Sequence, residues 1–227
     1  RFISTHLSAL TSPSRFVLRY GSAVKAYLRA LLPTQHDAEE VEQDFLLRIL
    51  EKGIPVGDRS NGRYRHYLIA IVRNAALRYL SNRSRRPQGL TEPALLSLQS
   101  KAEQHWHQEW RSCVLQRTWQ ALKDHEAANP GNLFHTVLLN VVQNSIASSE
   151  ELAEQISMAS GQSLTAEAFR KQLSRARRMF AQLLITEVAR TIRDVTPEHI
   201  SDELQELDLL RYVQSIRQDC TKREQRI

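Results

Sequence analysis

The sequence predicts an all-α protein made of two small helical domains, and three observations lead to this class. The 227 residues include only seven glycines and seven prolines, fewer than collagen or turn-rich β-proteins use. Hydrophobic residues make up 41% of the chain, and they recur at helical steps of three and four instead of alternating as in strands. The length is sufficient for two cores. We expect these parts: a first domain at 1–86, a linker at 87–101, a second domain at 102–194 and a C-terminal helical extension at 195–227.

Three helices are predicted in the first domain. The first covers about 14–32 and is closed by Pro33. The second begins after Thr34, a predicted N-cap with Asp37 three residues later as in a capping box, and it ends at Gly53. Its expected buried face is Ala38, Val41, Phe45 and Ile49. A loop rich in Gly, Pro and Asn follows at 54–62. For the third helix, at about 63–84, the expected buried stripe is Tyr64, Leu68, Ile71, Ala75 and Tyr79.

The second domain is predicted to begin with a helix near Glu103. Its two apolar stripes are Trp106, Trp110 and Cys113 on one side and Leu115, Trp119 and Leu122 on the other. Further helices are expected at 134–142, from 148 or 149 through 156, and at about 165–184, with a polar loop at 157–163 and Thr165 as an N-cap. The motif Thr196-Pro197-Glu198 predicts the start of a last helix. Its expected apolar positions are Ile200, Leu204, Leu207, Leu210 and Val213.

Two basic segments carry the net charge of +6. Residues 63–86 contain seven arginines and no acid, and residues 168–186 contain five cations and no acid. Such confined positive patches indicate a polyanionic partner, usually nucleic acid, although a solvated helix face is an alternative for each.

The two basic segments predict different modes of nucleic-acid binding. In 148–184, a short helix, a turn and a long basic helix are typical of a helix-turn-helix that enters the major groove, and a helical hairpin with a basic face is the alternative. The predicted contacts are Arg170, Lys171, Ser174, Arg175 and Arg178. In 63–86, tyrosines are interleaved with arginines, a pattern that suits single strands. There Tyr67 is the residue expected to stack on a base, beside Arg63, Arg65, Arg73 and Arg78.

The second helix has the opposite charge. Its five acids within eight residues are Asp37, Glu39, Glu40, Glu42 and Asp44. Acids complement the N-terminal dipole of a helix, but five exceed that need. The excess predicts a docking surface for a basic protein partner.

Other function classes lack their motifs. Neither His36 with Asp37 nor His105 with His107 has further ligands at a metal-binding spacing, and no phosphate loop or nucleophile elbow is present. We therefore expect no catalysis, no metal and no cofactor. Two cysteines allow at most one bridge. Without a long apolar run or a secretory signal, the sequence predicts a soluble, cytoplasmic protein.

Three motifs together resemble a known family. Residues 37–50 (DAEEVEQDFLLRIL) and 62–80 (GRYRHYLIAIVRNAALRYL) resemble region two of bacterial extracytoplasmic-function sigma factors. Residues 173–178 (LSRARR) resemble the recognition helix of region four in the same family. The motifs occur in the family's order and at its separation.

This resemblance implies a non-catalytic initiation factor that binds core RNA polymerase and opens promoter DNA. The polymerase contacts it implies are Asp37, Glu40, Gln43 and Asp44. Loop 54–62 and the start of the third helix would capture a flipped base of the minus-ten element, while Arg73, Asn74 and Arg78 hold the strand. Helix 165–184 would read the minus-thirty-five element.

Two features depart from the family pattern. The turn of the helix-turn-helix is about six residues longer than usual, and the helix at 197–213 lies beyond the usual end. This last helix is a candidate surface for a regulator, and an anti-sigma factor is a further partner that the resemblance allows. The alternative functions are a helix-turn-helix regulator that acts without polymerase and a helical adaptor for acidic proteins.

Overall fold

The computed structural model describes residues 12–53, 64–82, 92–129, 131–161, 163–192 and 195–213. Every regular element in these ranges is a helix, which confirms the all-α class. In chain order the helices are α1 (Pro13–Leu31), α2 (Gln35–Lys52), α3 (Tyr64–Asn82), α4 (Glu92–Ala128), α5 (Phe134–Gln143), α6 (Ser149–Ser160), α7 (Ala166–Ala189) and α8 (Pro197–Glu206). None of the helices described is both long enough and apolar enough to cross a membrane.

The chain divides into two compact units. The first consists of Arg1–Cys113 with Ala189–Ile200, and the second consists of Val114–Val188 with Ser201–Ile227. The predicted linker at 87–101 is helical from Glu92 onward, because α4 begins there.

Local signals in the sequence place α2 correctly. The Thr34 side chain accepts a hydrogen bond from the Asp37 backbone N–H at 3.1 Å, as expected of an N-cap. Gly53 ends the helix with a φ of 81°, a conformation that other residues rarely adopt. The buried positions of α2 are the predicted ones, Ala38, Val41, Phe45 and Ile49.

The register predicted for α3 is wrong by one residue. Its buried positions are Arg65, Leu68, Val72 and Ala76, whereas Ile71, Ala75 and Tyr79 are only partly buried. The helix is apolar around much of its circumference, so periodicity alone does not distinguish two neighbouring stripes.

The first unit has an aromatic core that includes the start of α4. Tyr20 of α1 stacks on Trp110 of α4 with ring centroids 4.3 Å apart. Tyr27 meets Trp106 edge-on at 6.1 Å. The sequence predicts both tryptophans in the second domain, and the structure corrects this, because they pack against α1. Large aromatic side chains contribute strongly to a core, and these two contribute to the core of the first unit.

A cluster of apolar side chains forms the core of the second unit. Its buried members, from α5, α6 and α7, are Val137, Leu152, Ala153, Ile156 and Phe169. Ser148 and Glu151 form a complete capping box at the start of α6. The helix continues to Ser160 and ends at the left-handed Gly161, so the loop predicted from 157 begins later. Thr165 caps α7 by accepting from the Ala168 N–H at 3.2 Å.

The last predicted helix is interrupted. α8 ends at Glu206, and Asp208 has a φ of 53°. The Leu209 N–H donates to the Leu204 carbonyl at 2.8 Å, which closes the helix before a further helical turn at 210–213. As a consequence Leu209, and not the predicted Leu210, is fully buried.

Candidate nucleic-acid and partner interfaces

Three acids of α2 form a stripe along one face of the helix, and we call Asp37, Glu40 and Asp44 the acidic stripe. Their spacing of three and four residues places them on the same side. The Tyr79 hydroxyl lies 2.8 Å from Asp37 Oδ1 and 2.8 Å from Glu40 Oε2. Asp44 pairs with Arg48 at 2.8 Å but stays 59% exposed. Gln43 is exposed beside the stripe.

Two further acids of α2, Glu39 and Glu42, face the cations of α1. Glu39 lies 3.5 Å from Arg29 and accepts a hydrogen bond from Gln35 at 2.7 Å. The bond from Gln35, followed by the charges of Arg29 and Lys25, lowers the pKa of Glu39 below its usual value. Partial burial raises the pKa of Glu42, against the opposing effect of the same two cations. Glu39 and Glu42 therefore lie near the cations of α1, whereas the acidic stripe contacts Tyr79 of α3 and Arg48 of its own helix.

Arg65 does not lie on a DNA-binding surface, and the structure contradicts its predicted role. The side chain is fully buried, and Nη1 lies 2.8 Å from Nδ1 of His107 on α4. A guanidinium enclosed by protein cannot reach a phosphate. The one-residue error in the register of α3 explains why the sequence suggested an exposed position.

The remaining candidates on α3 differ in exposure. Tyr67 is partly buried, and its ring centroid lies 6.4 Å from that of Tyr64. Arg73 lies 3.8 Å from Glu103 of α4. Asn74 and Arg78 are exposed. Arg63 and the loop at 54–62 lie outside the described residues.

A cleft of about 350 Å³ lies between α2 and α3. It brings Asp44 of the acidic stripe close to Asn74 and Arg78 of α3. Arg48 and Lys52 also line it, and neither is among the residues that the sequence predicts as nucleic-acid contacts. Asp44, Arg48 and Lys52 follow one another at steps of four residues, which places all three on one face of α2, a signal that could have identified them.

α7 exposes most of its predicted contacts. Ser174 and Arg175 are exposed and Arg178 is partly buried. Arg170 pairs with Glu150 of α6 at 3.1 Å, and Lys171 pairs with Glu167 at 2.7 Å. All four of these paired side chains remain more than half exposed, so the pairs are weak and can exchange for phosphates.

A match to a known protein family lies within the first unit. Residues 16–86 match the family model of Sigma-70 region 2. The first unit contains a sigma-70 region 2 domain. No curated protein and no solved structure matches the chain at a significant level. The region 2 domain comprises nearly all of α1 together with α2 and α3, and it supports a sigma-factor role in promoter recognition by RNA polymerase.

The first unit extends beyond the region 2 domain. The match ends at residue 86, yet Trp106 and Trp110 of α4 pack against α1 within the same unit. Within the described residues, no group of three or more His, Cys, Asp and Glu side chains is arranged to hold a metal ion.

Proposed function

We propose that this chain is a sigma factor of the extracytoplasmic-function type, which binds core RNA polymerase and directs it to particular promoters. The observation that carries the proposal is the region 2 match over a helix pair, α2 and α3, with an acidic stripe and a basic cleft. A sigma factor lowers no chemical barrier itself. It contributes binding energy that recruits the polymerase and stabilises opened DNA.

The acidic stripe, together with Gln43, is the proposed contact for core polymerase. Glu40 and Asp44 are exposed, and each carboxylate has about four acceptor sites, so the contacts it makes within the unit do not prevent a partner's cation from approaching. Glu39 and Glu42 are excluded from this role because they face Lys25 and Arg29. A charged stripe of this kind contributes mainly to partner choice and to the rate of association.

The cleft and the exposed side of α3 are the proposed contacts for the minus-ten element. Asn74 and Arg78 line the cleft, Arg73 lies on the same helix, and Arg63 directly precedes it. Arg48 and Lys52 are further proposed contacts because they line the same cleft, and Arg65 is not a contact because it is buried. Tyr67 would stack on an unpaired base, an interaction that contributes about 1–3 kcal/mol. Such contacts offset the few kcal/mol that it costs to unstack a base.

The second unit is proposed to bind the minus-thirty-five element as a region-four-like helix-turn-helix. α7 would lie in the major groove with Ser174, Arg175 and Arg178 toward the DNA. Arg170 and Lys171 would exchange their acidic partners for phosphates. The turn between α6 and α7, at 161–165, is only slightly longer than the three- or four-residue turn of most such motifs. It is shorter than the sequence suggested, because α6 continues to Ser160.

Charge reversal tests the polymerase contact. The variant Asp37→Lys, Glu40→Lys, Asp44→Lys is expected to lose association with core polymerase in a pull-down. The matched control, Glu51→Lys, Asp124→Lys, Glu154→Lys, makes the same change in net charge at other exposed positions and should retain it. Equal retention by both variants would refute the proposed role of the acidic stripe.

Run-off transcription separates this proposal from a helix-turn-helix regulator that acts without polymerase. A sigma factor restores initiation when it is added to core enzyme on a library of randomised promoters. A regulator binds DNA in a gel shift but leaves the core enzyme inactive. Sequence-specific binding without initiation would favour the regulator.

A further inference from the structure

We propose that Tyr79 is a positioning residue for polymerase binding, because its hydroxyl holds the Asp37 and Glu40 carboxylates together on the surface of α2. The inference deepens the proposed function and rests on it, since it assumes that the acidic stripe contacts the polymerase. Nothing in the region 2 match itself assigns a role to this tyrosine.

The geometry fixes both carboxylates from outside their own helix. The Tyr79 hydroxyl comes from α3 and lies 2.8 Å from an oxygen of each acid. A second donor, the Thr34 hydroxyl, lies 2.8 Å from Asp37 Oδ2. Both oxygens of Asp37 are therefore held, one by the cap of α2 and the other by the neighbouring helix.

The Tyr79 hydroxyl opposes the mutual repulsion of the two carboxylates. Carboxylates three residues apart on a helix repel each other and favour rotamers that point apart. A phenolic O–H has one proton to donate, and here two charged acceptors share it. Hydrogen bonds to charged acceptors are stronger than neutral ones. The hydroxyl therefore keeps the two negative charges close together.

The consequence for binding is preorganisation. An exposed Glu loses rotamer freedom when a partner orders it, and that loss reduces affinity. Holding Asp37 and Glu40 in place before association removes part of this cost. A basic side chain of the partner then meets two converging carboxylates instead of two mobile ones.

The test is Tyr79→Phe, which removes the hydroxyl and keeps the ring. We expect the Kd for core polymerase to rise about 5-fold, with an unchanged helical content by circular dichroism at the temperature of the binding assay. Tyr27→Phe is the matched control, because it deletes a buried hydroxyl of the same unit for which the described residues offer no hydrogen-bond partner. Its Kd should equal that of the parent. An unchanged Kd in Tyr79→Phe overturns the inference.

A double-mutant cycle distinguishes positioning from a general structural effect. Asp37→Ala, Glu40→Ala should weaken binding by about 10-fold or more, and adding Tyr79→Phe to it should cause no further weakening. The same 5-fold weakening in both backgrounds would show that Tyr79 acts independently of the two acids and would overturn the inference. If the double alanine variant binds normally, the acidic stripe is not the polymerase contact, and the proposed function of this surface fails first.

Discussion

The basic segments 63–86 and 168–186 look alike in sequence but are used differently in the structure. Both lack acids and both are rich in arginine. In α3, Arg65 is fully buried against His107 and Arg73 lies near Glu103. In α7, Arg175 and Arg177 are exposed. The density of positive charge therefore indicates a polyanion-binding surface only where the helix leaves its basic side to solvent.

The packing around each helix explains the difference. α3 contacts α1 and α2, and Arg65 and Arg73 reach side chains of α4, so two of its arginines are directed toward a neighbouring helix. α7 contributes Phe169, Ala176 and Phe180 to the core of its own unit. Its arginines lie on the other positions, where long cationic side chains extend into water.

The largest expected difference between the two segments is in stability. Arg65→Ala should lower the free energy of unfolding by about 3 kcal/mol, because it removes a buried side chain and leaves His107 without that donor. Arg175→Ala should change it by less than about 0.5 kcal/mol. Urea unfolding followed by tryptophan fluorescence measures both, since Trp106 and Trp110 report on the first unit and Trp119, which packs against Phe180, reports on the second. Equal effects would contradict the comparison.

The next effect is on DNA affinity. Arg175→Ala, Arg178→Ala should weaken binding to promoter duplex and reduce the slope of log K against log salt by about 0.9 for each phosphate that is no longer neutralised. Lys123→Ala, an exposed cation on α4, is the control. A fluorescence anisotropy titration at several salt concentrations measures the slope. An unchanged slope would remove both arginines from the proposed interface.

The smallest expected effect is on the pKa of Tyr27, which the charge of Arg73 influences. Burial raises the pKa of Tyr27 to about 12, the Arg73 charge opposes this, and Glu103 adds to it. Because the folded state holds the phenolic proton more tightly, Tyr27 contributes stability that is full below about pH 10 and is lost as the pH rises to about 12. Tyr27→Phe should abolish this part of the alkaline destabilisation in thermal melts.

The variant Arg73→Ala tests whether the charge of Arg73 lowers the pKa of Tyr27. Removing the cation should raise the pKa of Tyr27 further, whereas Arg178→Ala should leave it unchanged. Phenolate absorbance, corrected by the Tyr27→Phe titration, isolates the group. A Tyr27 pKa that is the same in Arg73→Ala and in the parent would show that Arg73 does not face this interior site.

Local signals account for much of the fold. Three such signals, each formed by residues within a few positions of one another, are the N-cap at Thr34, the helix end at Gly53 and the capping box at Ser148. The structure confirms the predicted N-cap at Thr34 and the predicted helix end at Gly53. The acidic stripe is likewise a local pattern, because its three members share one helix face. The break at Asp208 was missed because the apolar pattern continues across it.

The candidate site was less predictable because its contacts join residues distant in the chain. Tyr79 was expected to be core, and nothing near it in sequence indicates two acids about forty residues away. The cleft required α2 and α3 to lie side by side before Arg48 and Lys52 could be grouped with Asn74 and Arg78.

Neighbouring residues along the chain were enough to predict that it is helical, where α2 begins and ends, and which segments concentrate charge. Three-dimensional packing was needed to show that Arg65 is buried, that Trp106 and Trp110 complete the first core, and that Tyr79 joins Asp37 to Glu40. Burial and pairing depend on which surfaces meet, and a helix with apolar residues on several sides does not specify this alone.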